Sequence, residues 1–173
     1  MISHIRAMLG ITATTAAALA LFATPAGATA IPHYKLPKVY GTTFQADPKH
    51  DFTKHISPRH NGILRGWVVF YHGGVAEYQP VKWVPGKPGQ DGFFAGPPEG
   101  DVTAYASRVS AKAVLYSVSN CHPGGAKATI DRRGLGTKAC SHKALVAHLK
   151  TGHVAAMITV YHGQIVKIQE ISV

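Results

Sequence analysis

Histidine is the reactive side chain this sequence holds in greatest supply, with 11 residues against 8 Asp and Glu together. An imidazole titrates near pH 6.5 and serves as general base, metal ligand or pH-dependent cation. Spacing decides among those roles. His50, His55 and His60 recur every five positions, a step that turns them to different sides of a helix and alternates their faces on a strand. His142 and His148, six apart, also fall on different sides of a helix. No HxxxH or HxH pair offers a ready chelate, so no metal or other cofactor is expected.

Carboxylate chemistry is thinner still. Paired-acid hydrolysis needs two acids in one cleft, whereas Asp47, Asp51, Glu77 and Glu170 are scattered over expected loops and hairpins. No GxSxG elbow marks a serine nucleophile. Phosphodiester cleavage by histidine beside Lys or Arg is the enzyme chemistry the composition suits best. Whether the chain is an enzyme stays open, with the balance against it.

Positive charge is the other chemical asset. Lys and Arg number 18, for a formal net charge of +10. The segment CHPGGAKATIDRRGLGTKAC, 121–140, gathers Lys127, Arg132, Arg133 and Lys138 among glycines, with Asp131 its only acid. Arginine forks and loop N–H groups suit an anionic partner. The same charges also serve a solvated turn that guards a sheet edge against aggregation. Cys121 and Cys140, the only two cysteines, bracket this segment and are expected to form one disulfide. Phe93 and Phe94, in a Gly/Pro-dense loop over 85–100, either cap the core or form a contact patch.

Tyr-His-Gly occurs twice, at 71–73 and 161–163, each time after an apolar run. Three-residue hairpin loops, His72-Gly73-Gly74 and His162-Gly163-Gln164, sort the flanking residues cleanly. Val160, Val166, Ile158 and Ile168 then share the inner face, with Thr159, Lys167, Met157 and Gln169 outside. In the first copy, Phe70, Ala76, Val68 and Tyr78 point inward. His72 and His162 stand at the tips, where their titration would make partner binding pH-sensitive.

These residues need a scaffold. Residues 1–30 carry Arg6, an apolar Ala/Leu-rich run and a small-residue end at Ala28-Thr29-Ala30. That is the layout of a secretory signal peptide of bacterial look, cleaved near Ala30, with no later membrane span. The remaining 143 residues suit one domain. Residues 31–62, rich in Pro, His and Lys, read as an irregular arm, with one short helical turn near 51–56 closed by Pro58. Residues 63–173 read as a single β-rich α+β domain. DVTAYASRV, KAVLYSVS and AKATI are expected strands, with a turn at Ser110-Ala111. SHKALVAHLK, 141–150, has helical spacing with Ser141 as N-cap and Gly152 at the end. Two final strands complete a β-β-β-α-β-β order over 101–173. The expected fold is an antiparallel sheet or small OB-like barrel, preceded by an extra hairpin.

The functional expectation is a small secreted, non-catalytic binding protein, monomeric, with a basic face for an anionic polymer or acidic protein. Its candidate contacts are Lys127, Arg132, Arg133, Lys138, Phe93, Phe94, His72 and His162. Nucleic acid is an open possibility for the polymer, with the tyrosines too scattered to mark a stacking platform. The alternatives are a histidine-dependent hydrolase or nuclease, and an inhibitor of another secreted enzyme acting through the 85–100 or 122–139 loop.

Overall fold

A computed structural model describes residues 30–173 apart from positions 52, 55, 56, 102 and 123–127. The expected signal peptide up to residue 29, Lys127 with the neighbouring start of the expected AKATI strand, and half of the expected turn at 51–56 therefore lie outside the described residues. The described part of AKATI, 128–130, is not a strand, because Ile130 makes only an isolated bridge to Gly136. Eight strands and one helix are described: β1 (Gly62–His72), β2 (Val75–Pro80), β3 (Lys82–Val84), β4 (Phe93–Ala95), β5 (Tyr105–Ser117), β6 (Lys138–Cys140), α1 (His142–Thr151), β7 (Ala156–Tyr161) and β8 (Gln164–Glu170). Neighbouring strands run β2-β1-β7-β8-β5-β6, and β2 also pairs with β5. That last pairing closes a five-stranded barrel, antiparallel except where β5 and β8 run parallel. The connectivity is OB-like, and the order strand, strand, strand, helix, strand, strand holds for β1, β2, β5, α1, β7 and β8.

The strands are not where the sequence suggested, however. The hairpin of β1 and β2 is no addition to the barrel. It supplies the first two barrel strands. Conversely, the two strands expected over 101–119 are one continuous strand, β5. The expected turn at Ser110-Ala111 is a bulge, where pairing to β8 jumps from Val109↔Ile165 to Val114↔Lys167. A strand that must meet β2 with its first half and β8 and β6 with its second bends sharply, and a bulge supplies the bend.

Both hairpins show the same kind of departure. Their turns have two residues, Gly73-Gly74 (φ 56° and 79°) and His162-Gly163 (φ 48° and 71°). Left-handed pairs of this kind match the twist of the strands they join. Far from the turns the expected register is met, with Val68↔Tyr78, Trp67↔Gln79, Ile158↔Ile168 and Met157↔Gln169. The residue removed from each loop reappears as a bulge, at Val69 in β1 and at Val166 in β8. Phe70 accordingly turns outward and is 56% exposed, and Ile165 takes the core position expected of Val166.

Two apolar clusters result. Inside the barrel, Leu64, Val68, Tyr78, Tyr105, Ile158 and Ile168 pack with Leu145 and Leu149 of α1. The helix is capped by Ser141, whose hydroxyl accepts from the Ala144 N–H, and ends at Gly152 with φ 67°. A second cluster lies outside the barrel, where Val39, Val81, Phe94, Leu135, Met157 and Ile171 pack together. This corrects the expected outward face: Met157 and Thr159 are buried because the arm and the β3–β4 pair cover them. The Cys121–Cys140 disulfide joins the chain after β5 to the end of β6, just before the helix.

Arg65 pins the arm. Its side chain is among the largest fully buried ones, 2% exposed. Nε donates to the Val81 carbonyl at 2.9 Å, and Nη1 and Nη2 donate to the Lys38 and Thr43 carbonyls at 2.6 Å each. Burial lowers its pKa from the ordinary arginine value, yet three carbonyl dipoles face the cation and no carboxylate is needed. A β-carbon at Gly41 would collide with this guanidinium. Replacing Arg65 with Met takes the donor from one buried and two part-buried carbonyls. Arg65→Met should therefore cost about 3 kcal/mol in guanidinium-chloride unfolding, and limited proteolysis should then cut first within 31–45.

Candidate anion-binding groove

The outer face of β1, β7 and β8 carries a cross-strand row, Ile63, Thr159 and Lys167, set by Ile63↔Thr159 and Thr159↔Lys167 pairing. Next to it runs the row Arg65, Met157 and Gln169. Arg65 holds the arm at residues 38–43, and the preceding stretch, residues 31–36, passes over the first row. A cavity of about 430 Å³ remains there, with His33, Tyr34, Arg133, Thr159 and Lys167 on its walls. A second depression of about 570 Å³ shares Leu36 and Arg133 with it and adds Lys38, Arg132 and Gly134. Together they form one groove with five basic residues, His33, Lys38, Arg132, Arg133 and Lys167.

The loop that carries Arg132 and Arg133 is rigidly made. Asp131 Oδ1 accepts from the N–H groups of Arg133 (2.8 Å) and Leu135 (3.0 Å), while Oδ2 takes the Arg133 Nε and Nη2 at 2.9 and 2.8 Å. Burial pushes the Asp131 carboxyl up, but the Leu135 N–H and the Arg133 contacts outweigh it and hold its pKa below the ordinary aspartate value. Gly134 (φ 81°) leaves room for the Tyr40 hydroxyl, which donates to the Ser172 carbonyl at 2.8 Å. Arg132 is exposed beside this turn.

Lys167 is half-buried and has no acidic neighbour in the groove. Its pKa lies below the ordinary lysine value, first from burial and then from the positive charge of Arg133. Thr159 adds a second unmet demand. Its hydroxyl is buried on the groove wall and has no hydrogen-bond partner among the described residues. Lys167 and the Arg133 Nη1, which Asp131 leaves over, are two donors of like charge beside one opening, and that suits an anion.

The remaining sequence candidates lie elsewhere. Lys138 is exposed at the start of β6. Phe94 packs against Tyr40 and Trp83, with ring centroids 6.1 and 5.0 Å away, whereas Phe93 points out and is 57% exposed. One phenylalanine caps the second cluster and the other is left on the surface, as alternation on a strand requires. His72 and His162 meet at one end of the barrel. Val75 and Gln164, each bordering a hairpin turn, both pair with Arg108 of β5. The rim thus carries His72, Arg108 and His162, all exposed. Sequence reasoning missed His33, Lys38, Lys167 and Arg108. Lys167 was legible as an outward residue, but nothing local says what lies over it.

The hydrolase reading needs an activated nucleophile. His50 Nε2 lies 3.0 Å from the Ser57 hydroxyl, which is the nearest approach to one. That hydroxyl also donates to the Asp51 carbonyl, so its proton is directed at the main chain rather than at a base. Burial lowers the pKa of His50, in keeping with a neutral ring packed 4.6 Å from Tyr105. His60 pairs separately with Asp47 at 2.7 Å. Among the described residues no three His, Cys, Asp or Glu side chains converge as a metal site would require, and no helix is long and apolar enough to cross a membrane.

No protein-family model, no curated protein and no solved structure matches this chain. The function must be argued from the groove itself.

Two substitutions test its electrostatics. Lys167 has a folded-state pKa below its unfolded one, so its charge costs stability at any pH below the folded value. That cost vanishes as pH rises through the folded value toward about 10.4. Lys167→Met should therefore stabilise the protein at neutral pH, and the gain should shrink as the pH of the urea titrations rises toward the ordinary lysine value of about 10.4. Thr159→Val removes a buried hydroxyl without a partner, and should raise stability by about 1 kcal/mol, read as a Tm increase of roughly 3 °C.

Proposed function

We propose that this protein is a small secreted, non-catalytic binding protein that holds an extended polyanion in the groove between its N-terminal arm and the Asp131–Gly134 turn. One observation carries the reading: Arg133 and the half-buried Lys167 line the same cavity, and among the described residues no acid lines it. Like charges side by side repel, and an anion placed between them relieves the repulsion. The net charge of +10 draws a polyanion from a distance. The arginine forks favour phosphate or carboxylate groups repeating along a chain. The disulfide agrees with an oxidising, extracellular setting, as does the signal-like segment at 1–30. A groove open at both depressions suits a monomer acting alone on a polymer.

The rim of His72, Arg108 and His162 is a second contact for a long polymer, and its charge grows as pH falls. His72→Ala with His162→Ala should then narrow the difference in affinity between about pH 5.5 and 7.5.

The decisive experiment uses fluorescently labelled inorganic polyphosphate, with poly-glutamate as competitor, titrated at several salt concentrations. Log affinity should fall linearly with log salt. Arg132→Gln and Arg133→Gln should each weaken binding and reduce the slope by about 1. Binding that ignores salt, or that survives the double variant unchanged, would sink the proposal.

A further inference from the structure

A different cavity lies on the far side of β8, under the helix, and the groove makes no use of it. It measures about 250 Å³ and is walled mainly by apolar side chains, including Leu115, Val118, Ala144 and Val154. Two titratable residues reach it, His148 from α1 and Glu170 from the end of β8. His148 Nδ1 and Glu170 Oε1 are 2.9 Å apart, and their side chains are 11% and 8% exposed. The other carboxylate oxygen, Oε2, takes the Ser117 hydroxyl at 2.8 Å and the Val118 N–H at 2.6 Å. Burial works to raise the Glu170 pKa, but hydrogen bonds from His148, Val118 and Ser117 prevail and hold it below the ordinary glutamate value. The carboxylate is charged and fully engaged.

That engagement orients the imidazole. Nδ1–H donates to Glu170, and Nε2 is left with no partner among the described residues. A neutral ring that donates to a carboxylate from one nitrogen presents a lone pair on the other. Here it does so at the wall of an apolar cavity, which is the composition of a small-molecule site: mostly hydrophobic lining with one placed polar group. An anionic ligand would set a second negative charge beside Glu170 with one imidazole to share. A cationic ligand would find no free carboxylate oxygen. A neutral hydroxyl needs only the Nε2 lone pair, and its apolar body gains from leaving water.

We propose that the cavity bounded by α1, the end of β5 and the end of β8 binds a small neutral apolar molecule bearing one hydroxyl, of the phenol or alicyclic-alcohol class, which donates to His148 Nε2. The volume admits a single ring and excludes a peptide or sugar chain. The site is separate from the polyanion groove and does not depend on it.

The test uses the intact protein at pH 7.5 with phenol, benzene and benzoate as probes. Heat of binding gives affinity, and the side-chain nitrogen signals of His148 report on Nε2. Phenol should bind saturably and shift Nε2. Benzene, which lacks the hydroxyl, should bind about tenfold more weakly or worse, equivalent to one hydrogen bond of about 1.4 kcal/mol. Benzoate should also bind more weakly than phenol. Ala144→Leu, which fills the cavity and suits a helix, should abolish phenol binding. Should that variant fail to fold, the Nε2 response of the unaltered protein decides by itself. No saturable shift, benzene within tenfold of phenol, or benzoate tighter than phenol would each overturn the assignment.

Discussion

A guanidinium buried without a carboxylate is an unusual solution, and much of the outer layer rests on it. Arg65 sits on β1 with its backbone paired to β7 and its carbonyl accepting from the Val81 N–H. Its side chain returns to the Val81 carbonyl and reaches the arm at Lys38 and Thr43. One residue therefore ties the barrel wall, the strand exit after β2 and the N-terminal arm to a common point. The cation is satisfied by main-chain oxygens of the arm, and the side chains of Tyr40 and Gln45 add bonds to Ser172, Ile63 and Arg65. Val39 can then pack into the second cluster with Met157 and Leu135, and residues 31–36 come to lie over Thr159 and Lys167.

The two Tyr-His-Gly hairpins show how identical local sequence serves different local structure. In the first, His72 is the last strand residue and Gly73-Gly74 make the turn; in the second, His162 is itself a turn residue with φ 48°. Glycine tolerates left-handed φ without cost, and histidine does so better than most residues. The second turn therefore proceeds without a second glycine. The strand-pairing pattern was legible several residues from each turn because only one register puts Val68 opposite Tyr78 and Ile158 opposite Ile168. It was not legible beside the turns, where a bulge shifts one residue for almost no loss of burial. What repeats is a hairpin at the same end of one barrel, on either side of Arg108.

The chemistry was readable in kind and not in place. Positive charge and the clustering of Arg132 and Arg133 stand in the linear chain, as do the disulfide partners and the helix cap. The partner that gives Arg133 its role, Lys167, is thirty-four positions away on a strand whose outer face looked like solvent. Glu170 and His148 were both visible as hairpin and helix residues, yet their meeting under α1 depends on how that helix closes the barrel.

The sequence by itself determined the periodic features: strands alternating apolar and polar residues, a helix between Ser141 and Gly152, and turns where glycine follows an apolar run. Each follows from interactions within a few residues, whose geometry the local pattern specifies. Only the tertiary structure decided that β5 is one bent strand, that the first hairpin belongs to the barrel, and which face the arm covers. Those outcomes depend on closure between β2 and β5 and on three hydrogen bonds from Arg65 to carbonyls up to twenty-seven positions distant. A carbonyl is the same group at every residue, so no side-chain pattern marks which ones a buried arginine will find.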